Sequence, residues 1–174
     1  MGQAWPPSYN GVMAAGKQRK LLDPGSHAPD FRLPRLDGGT VALPEILASG
    51  PALIVFFKTT CPVCQFTLPF LARIHAPGTL SVCAISQDGA EDTRDFNREF
   101  GIALPTLLDS ARSGYPVSDA FGISSVPTAF LIGRDGVVSR VIEGWSKRDI
   151  GSLGELAGAQ VFQQGDNVPE WKAG

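Results

Sequence analysis

The chain has 174 residues, a formal net charge of -2, 43% hydrophobic residues and three cysteines. That length and apolar content predict one domain with its own core, and so few cysteines exclude a disulfide framework and leave at least one thiol unpaired. The balance of charge speaks against a nucleic-acid partner, which needs clustered Lys and Arg, and the longest apolar run, Ala52–Phe57, falls far short of the ~20 residues of a membrane span.

Residues 1–24 are rich in Gly, Pro and polar groups and read as an N-terminal arm. The stretch Met1–Lys20 lacks the unbroken apolar core of a secretory signal. This predicts a cytoplasmic protein, or a periplasmic or secreted one if a leader has been removed. The domain itself is expected over residues 25–157, with a tail over 158–174. Between Ala28 and Leu43 the apolar beats Phe31, Leu33, Leu36, Val41 and Leu43 flank Asp37-Gly38-Gly39, which predicts a β-hairpin. Pro44–Ala48 reads as a short helical turn with Pro at its first position. Ala52–Phe57 is apolar without alternation, the mark of a central strand covered on both faces.

Two cysteines follow at once, in Lys58-Thr59-Thr60-Cys61-Pro62-Val63-Cys64. A helix is predicted over Gln65–His75, with Pro69 inside it. Further strands are predicted over Leu80–Ile85, Pro105–Leu108, Ala129–Ile132 and Val137–Ile142, the last two joined by an Arg134-Asp135-Gly136 turn. Helices are predicted over Glu91–Phe100, Tyr115–Phe121 and Ser146–Leu156, with Ser146 as an N-cap. Strands alternating with helices give a parallel portion, and the late hairpin adds antiparallel strands. The expected fold is therefore α/β: a three-layer sandwich of a mixed sheet with helices on both faces and an N-terminal hairpin.

A Cys-x-x-Cys pair at a helix start has a physical reason to be reactive. A sulfur at the N-cap faces unpaired backbone N–H groups and the positive end of the helix dipole, and both favour thiolate. Pro62 suits the first helical position, where no N–H partner is lost. Cys64, further in, should be more buried and less reactive. That asymmetry suits attack by Cys61 on a disulfide and resolution by Cys64.

The chain resembles the thioredoxin superfamily, and within it the TlpA-like thiol–disulfide reductases and the alkyl hydroperoxide reductase/thiol-specific antioxidant group. The resemblance covers roughly residues 25–157. It rests on Cys61-Pro62-Val63-Cys64 after a buried strand, Pro69 in the helix, Val126-Pro127-Thr128 opening a later strand, and Ile132-Gly133-Arg134-Asp135-Gly136 after that. Pro29-Asp30-Phe31 with Asp37-Gly38, and the insert between Ser86 and Gly122, are similar to the TlpA-like and peroxiredoxin-like members rather than to plain thioredoxin. The resemblance implies a redox-active dithiol, with Cys61 attacking and Cys64 resolving. It implies a cis peptide before Pro127, and a substrate surface formed by Thr60, Pro62, Val63, Val126 and Pro127. Substrates would be disulfides or thiols of proteins or small molecules, with a thiol protein or small thiol donating electrons. No metal, flavin or nucleotide cofactor is implied. Two departures stand out. Val55 occupies the place of the buried aspartate of thioredoxins, leaving Lys58 or water to assist Cys64. Thr60 stands where Trp is common.

Three rival readings remain. A peroxiredoxin-like thiol peroxidase would need a proline and T-x-x-C around one cysteine, and Cys61 occupies the threonine position of that motif. A zinc site would join Cys61 and Cys64 to His75 and Cys83, two singletons better read as a capping or solvated histidine and a packed cysteine. A redox-inactive binding domain would usually have lost a cysteine. Other residues read plainly: Trp145 packs, Trp5 and Trp171 dock the tails, His27 faces solvent, and Asp88 either lines the active-site edge of the sheet or caps a helix.

Overall fold

The computed structural model describes residues 20–174; Trp5 and most of the predicted arm lie outside them. Its centre is β3 (Ala52–Phe57), all six residues of which are fully buried. Its continuous hydrophobicity is explained by position, since it is the middle strand of five in the order β5-β4-β3-β6-β7. Strand β3 runs parallel to β4 (Ser81–Ser86), which runs parallel to β5 (Thr106–Leu108). On its other side β3 is antiparallel to β6 (Thr128–Ile132), which is antiparallel to β7 (Val138–Glu143). The sheet is mixed, as expected.

Alternation along β3 divides the core. Leu53, Val55 and Phe57 face a layer that includes α2 (Pro62–His75), α3 (Ala90–Glu99) and α5 (Lys147–Ala157). Ala52, Ile54 and Phe56 face the hairpin of β1 (Arg32–Pro34) and β2 (Thr40–Ala42), α1 (Leu43–Leu47) and α4 (Pro116–Phe121). Phe56, Phe121 and Phe130 stack as one aromatic cluster on that second face, with centroids 5.1–6.0 Å apart.

Element ends differ from expectation where side chains intervene. Helix α1 starts at Leu43, before Pro44, because the Glu45 carboxylate accepts the Ala42 N–H at 2.6 Å. Strand β7 starts one residue late, at Val138, because Val137 donates its N–H to Asp135 and bridges His27 instead of joining the ladder with β6. Helix α2 begins at Pro62, three residues before the periodic stretch, since Cys61 caps it. Ser146 caps α5 as predicted, accepting the Asp149 N–H at 3.2 Å.

The chain beyond α5 returns across the first layer. Arg73 of α2 donates to Val161 O at 2.8 Å and pairs with Asp166 at 2.6 Å; its guanidinium holds the Asp166 carboxyl below the usual range. Trp145 is fully buried against Phe66, Phe70 and Phe162, and its indole N–H donates to Pro169 O at 2.6 Å. Trp171 was expected to dock the tail, but its side chain is 64% exposed. Docking instead runs through backbone, where β8 (Trp145–Ser146) pairs with β9 (Trp171–Lys172).

One buried carboxyl organises the second layer. Asp109 is fully buried and accepts from Val117 N–H (3.3 Å), Ser118 N–H (2.6 Å) and Ser118 Oγ (2.7 Å) at the start of α4. Replacing it by alanine strands these buried donors. Asp109→Ala is expected to lose about 3 kcal/mol, or roughly 6–12 °C in thermal midpoint, with Asp109→Asn losing less. Scanning calorimetry checks this; a midpoint within about 2 °C of the parent contradicts it.

Candidate active site

The site is built where β3 ends and α2 begins, beside the loop entering β6. Lys58, Thr59 and Thr60 carry the chain between them, and side chains from neighbouring elements fix that turn. The Thr59 N–H donates to the Asp88 carboxylate at 2.7 Å, and Gln65 Nε2 donates to Thr59 O at 2.9 Å. The Cys61 N–H donates to Lys58 O at 3.3 Å.

Cys61 is the N-cap of α2, as its place before Pro62 predicts. Its sulfur accepts the Cys64 N–H at 3.2 Å, and its thiol donates to the Val126 carbonyl at 3.3 Å. One atom thus ties the helix start to a loop sixty-five positions away in sequence. The Val126–Pro127 peptide is cis, as the resemblance implies. Cys61, Cys64 and Cys83 are all free thiols, with Cys61 partly exposed and the other two buried.

Cys64 has no exposed surface. Burial pushes its thiol pKa up most strongly, followed by its hydrogen bond with Cys61; the Lys58 backbone opposes this, and charge at Cys61 and Asp88 adds to the rise. Cys64 therefore stays a neutral thiol until something draws its proton away. Cys83, in β4, is 4% exposed, and burial pushes it up to about 12 against the charge of Arg35. It belongs to the opposite layer from Cys64.

Of the predicted substrate residues, Val126 touches Cys61 directly and Pro127 is buried beside it. Thr60 and Pro62 are exposed at the rim, and Val63 is half-buried against the core. A cleft of about 280 Å3 opens next to Val126, lined by Lys58, Gln87, Tyr115, Ser118 and Ser125 among others. The Lys58 ammonium lies 5.9 Å from the centroid of the Tyr115 ring. Asp88 resolves the alternative left by sequence: Gly89, not Asp88, is the N-cap of α3, and the Asp88 carboxylate faces the Cys-x-x-Cys turn. The signal was its place just past β4, whose carboxyl end lies alongside that of β3. His75 Nδ1 accepts the Val82 N–H at 3.0 Å. Sequence reasoning missed the chain's last residues, which reach the Val126 carbonyl: a methyl built on Gly174 would fall 2.8 Å from it.

Residues 24–141 match the family model described as the AhpC/TSA family. The chain is similar to the thiol-disulfide oxidoreductase ResA of Bacillus subtilis, with 30% identity over 140 residues, spanning 78% of this chain and 74% of that protein. Among solved structures it is similar to a proposed thiol:disulfide interchange protein DsbE from Chlorobium tepidum, at 27% identity and TM-score 0.66, covering 81% of this chain and 99% of that one. It shares its fold with the thioredoxin domain of a thiol-disulfide oxidoreductase from Bacteroides vulgatus, at 20% identity and TM-score 0.68, covering 77% of this chain and 96% of that one.

Burial sorts the three thiols by access. Brief iodoacetamide treatment of the folded, reduced protein at pH 8 is expected to label Cys61 alone, and all three cysteines in guanidinium chloride. Peptide mass spectrometry reads the outcome. Equal labelling of Cys83 in the folded state would contradict the arrangement.

Proposed function

The chain belongs to the AhpC/TSA family, and within it we propose that Cys61 and Cys64 form the working dithiol of a thiol–disulfide oxidoreductase with a thioredoxin fold. The observation that carries this reading is the position of the Cys61 sulfur, held between the Cys64 N–H and the Val126 carbonyl. Cys61 is the accessible member of the pair and Cys64 the enclosed one.

In this reading the Cys61 thiol loses its proton to solvent, and the resulting thiolate attacks one sulfur of a substrate disulfide. A Cys61–substrate disulfide forms and the second substrate sulfur leaves as thiolate. Cys64 then loses its proton and attacks the Cys61 sulfur. The substrate leaves as a thiolate and the Cys61–Cys64 disulfide remains, so two electrons have passed to the substrate. Asp88, whose carboxylate is held against the Cys-x-x-Cys turn by the Thr59 N–H, is the group we assign to receive the Cys64 proton. It takes over the assistance that Val55 lacks and that sequence left to Lys58 or water. Another thiol, on a protein or a small molecule, returns the pair to dithiol. Thr60, Pro62, Val63, Val126 and Pro127 form the surface against which the substrate lies, and Val126 lends it backbone.

Among the described residues no helix is long and apolar enough to cross a membrane. We propose the cytoplasm as its compartment, or the periplasm or exterior if a leader has been removed, and fractionation of the expressing cells tests it.

Cys61→Ser is expected to abolish dithiothreitol-coupled reduction of insulin. Cys64→Ser should stall after the first step, with turnover reduced by about a hundredfold or more. The reduced parent should react with hydrogen peroxide no faster than a free thiol. Retained insulin reduction by Cys61→Ser would refute the assignment, and fast peroxide consumption by the parent would move it to a thiol peroxidase.

A further inference from the structure

The last residues of the chain lie on the same surface as the proposed substrate. Strand β9 pairs with β8, Lys147 N–H donates to Glu170 O at 2.9 Å, and Pro169 O takes the Trp145 indole N–H. From Trp171 on, the chain runs over Gly144, which sits beside the cis-proline loop and donates its N–H to Pro127 O at 2.8 Å. The approach is too close for a side chain there: Gly144 has φ +68°, and a methyl on it would fall 2.3 Å from Lys172 O. The chain then reaches Val126, where a methyl on Gly174 would lie 2.8 Å from the carbonyl oxygen and 3.1 Å from its carbon. Lys172 also stretches over the Phe66 ring of α2, at 5.6 Å. The carbonyl that accepts the Cys61 thiol is therefore flanked by Cys61 on one side and by the chain's own strap on the other.

We propose that residues 171–174 form a strap that competes with extended peptides for the Val126 edge, making the site selective for small disulfides over unfolded protein chains until the strap lifts. An extended chain delivering a disulfide to Cys61 must pass along Val126 and Gly144, and that path is the one residues 172–174 occupy. A small disulfide needs only the Cys61 sulfur and the open side, where the cleft by Lys58 and Tyr115 lies. The strap is poised to lift. Its residues are exposed, and β9 is a two-residue strand. Segments held by few bonds and little buried surface open locally without unfolding the rest. The anchors before it are separate: Pro169 O takes the Trp145 indole N–H and Glu170 O takes the Lys147 N–H.

This inference rests on the proposed dithiol reading, so its test separates the two. A chain ending at Glu170 keeps the Pro169 and Glu170 carbonyl anchors to the Trp145 indole and the Lys147 N–H, and removes the strap together with its β8–β9 pairing. The probe is fluorescein-labelled, S-carboxymethylated insulin B chain, which has no thiol and binds without exchange chemistry. Fluorescence anisotropy should show the shortened chain binding it roughly five- to tenfold tighter, as expected if the strap is lifted ~10–20% of the time in the parent. Equal or weaker binding by the shortened chain, with an unchanged thermal midpoint, would overturn the strap and make it a wall of the substrate groove. In parallel, both reduced chains should react with the small disulfide DTNB at the same rate; a faster reaction of the shortened chain would contradict the claimed selectivity. If neither chain reacted with DTNB, the dithiol reading would fail, while the anisotropy result would still decide the strap.

Discussion

The position of one sulfur governs this molecule. Cys61 Sγ stands between the N–H of Cys64 and the carbonyl of Val126; the first contact is local to the helix start, and the second forms only when two remote pieces of chain are brought together. The first piece is the start of α2, delivered by β3. The second is the loop entering β6, which pairs with β3 antiparallel from Thr128 opposite Phe56 to Ile132 opposite Ala52. That register sets Val126 beside the end of β3, where Cys61 emerges. A slip of one residue would turn every β6 side chain to the other layer and draw Val126 away from Cys61. The buried middle of the sheet is thus what makes the site, and the full burial of β3 enforces it.

Much of this was legible in sequence because it is written in local chemistry. The unalternating run Ala52–Phe57 marks a strand with neighbours on both sides, and it occupies the middle of the sheet. Pro62 after Cys61 marks a helix start, and Cys61 caps it. The distinct burial of the two cysteines follows from their positions on that helix. The pairing of Cys61 with Val126 was readable only through resemblance, since nothing local in Val126-Pro127-Thr128 says which sulfur it meets.

The rest was illegible because tertiary contacts decide it. Asp88 fits a helix cap and a site-facing carboxylate equally well by position, and only the Thr59 N–H at 2.7 Å separates them. The residues after α5 show no periodicity and read as a tail, yet Arg73, Trp145 and Lys147 hold them through carbonyls and two carboxylates, those of Asp166 and Glu170. Backbone acceptors leave no mark in a sequence. The exposed Trp171 misleads, because the buried aromatic that holds the tail is Trp145 on the opposite strand. The same hidden contacts bring Gly174 to Val126, so the molecule's selectivity is set by a segment whose composition says nothing about it.

The account stands or falls on which sulfur first bonds to substrate. Cys64→Ser, reduced and then mixed with a disulfide-containing peptide, should accumulate a mixed disulfide, located by peptide mass spectrometry under non-reducing, acid-quenched conditions. The account predicts the adduct on Cys61, with Cys83 unmodified. An adduct carried by Cys83, or formed equally well when Cys61 is replaced by serine as well, would contradict it.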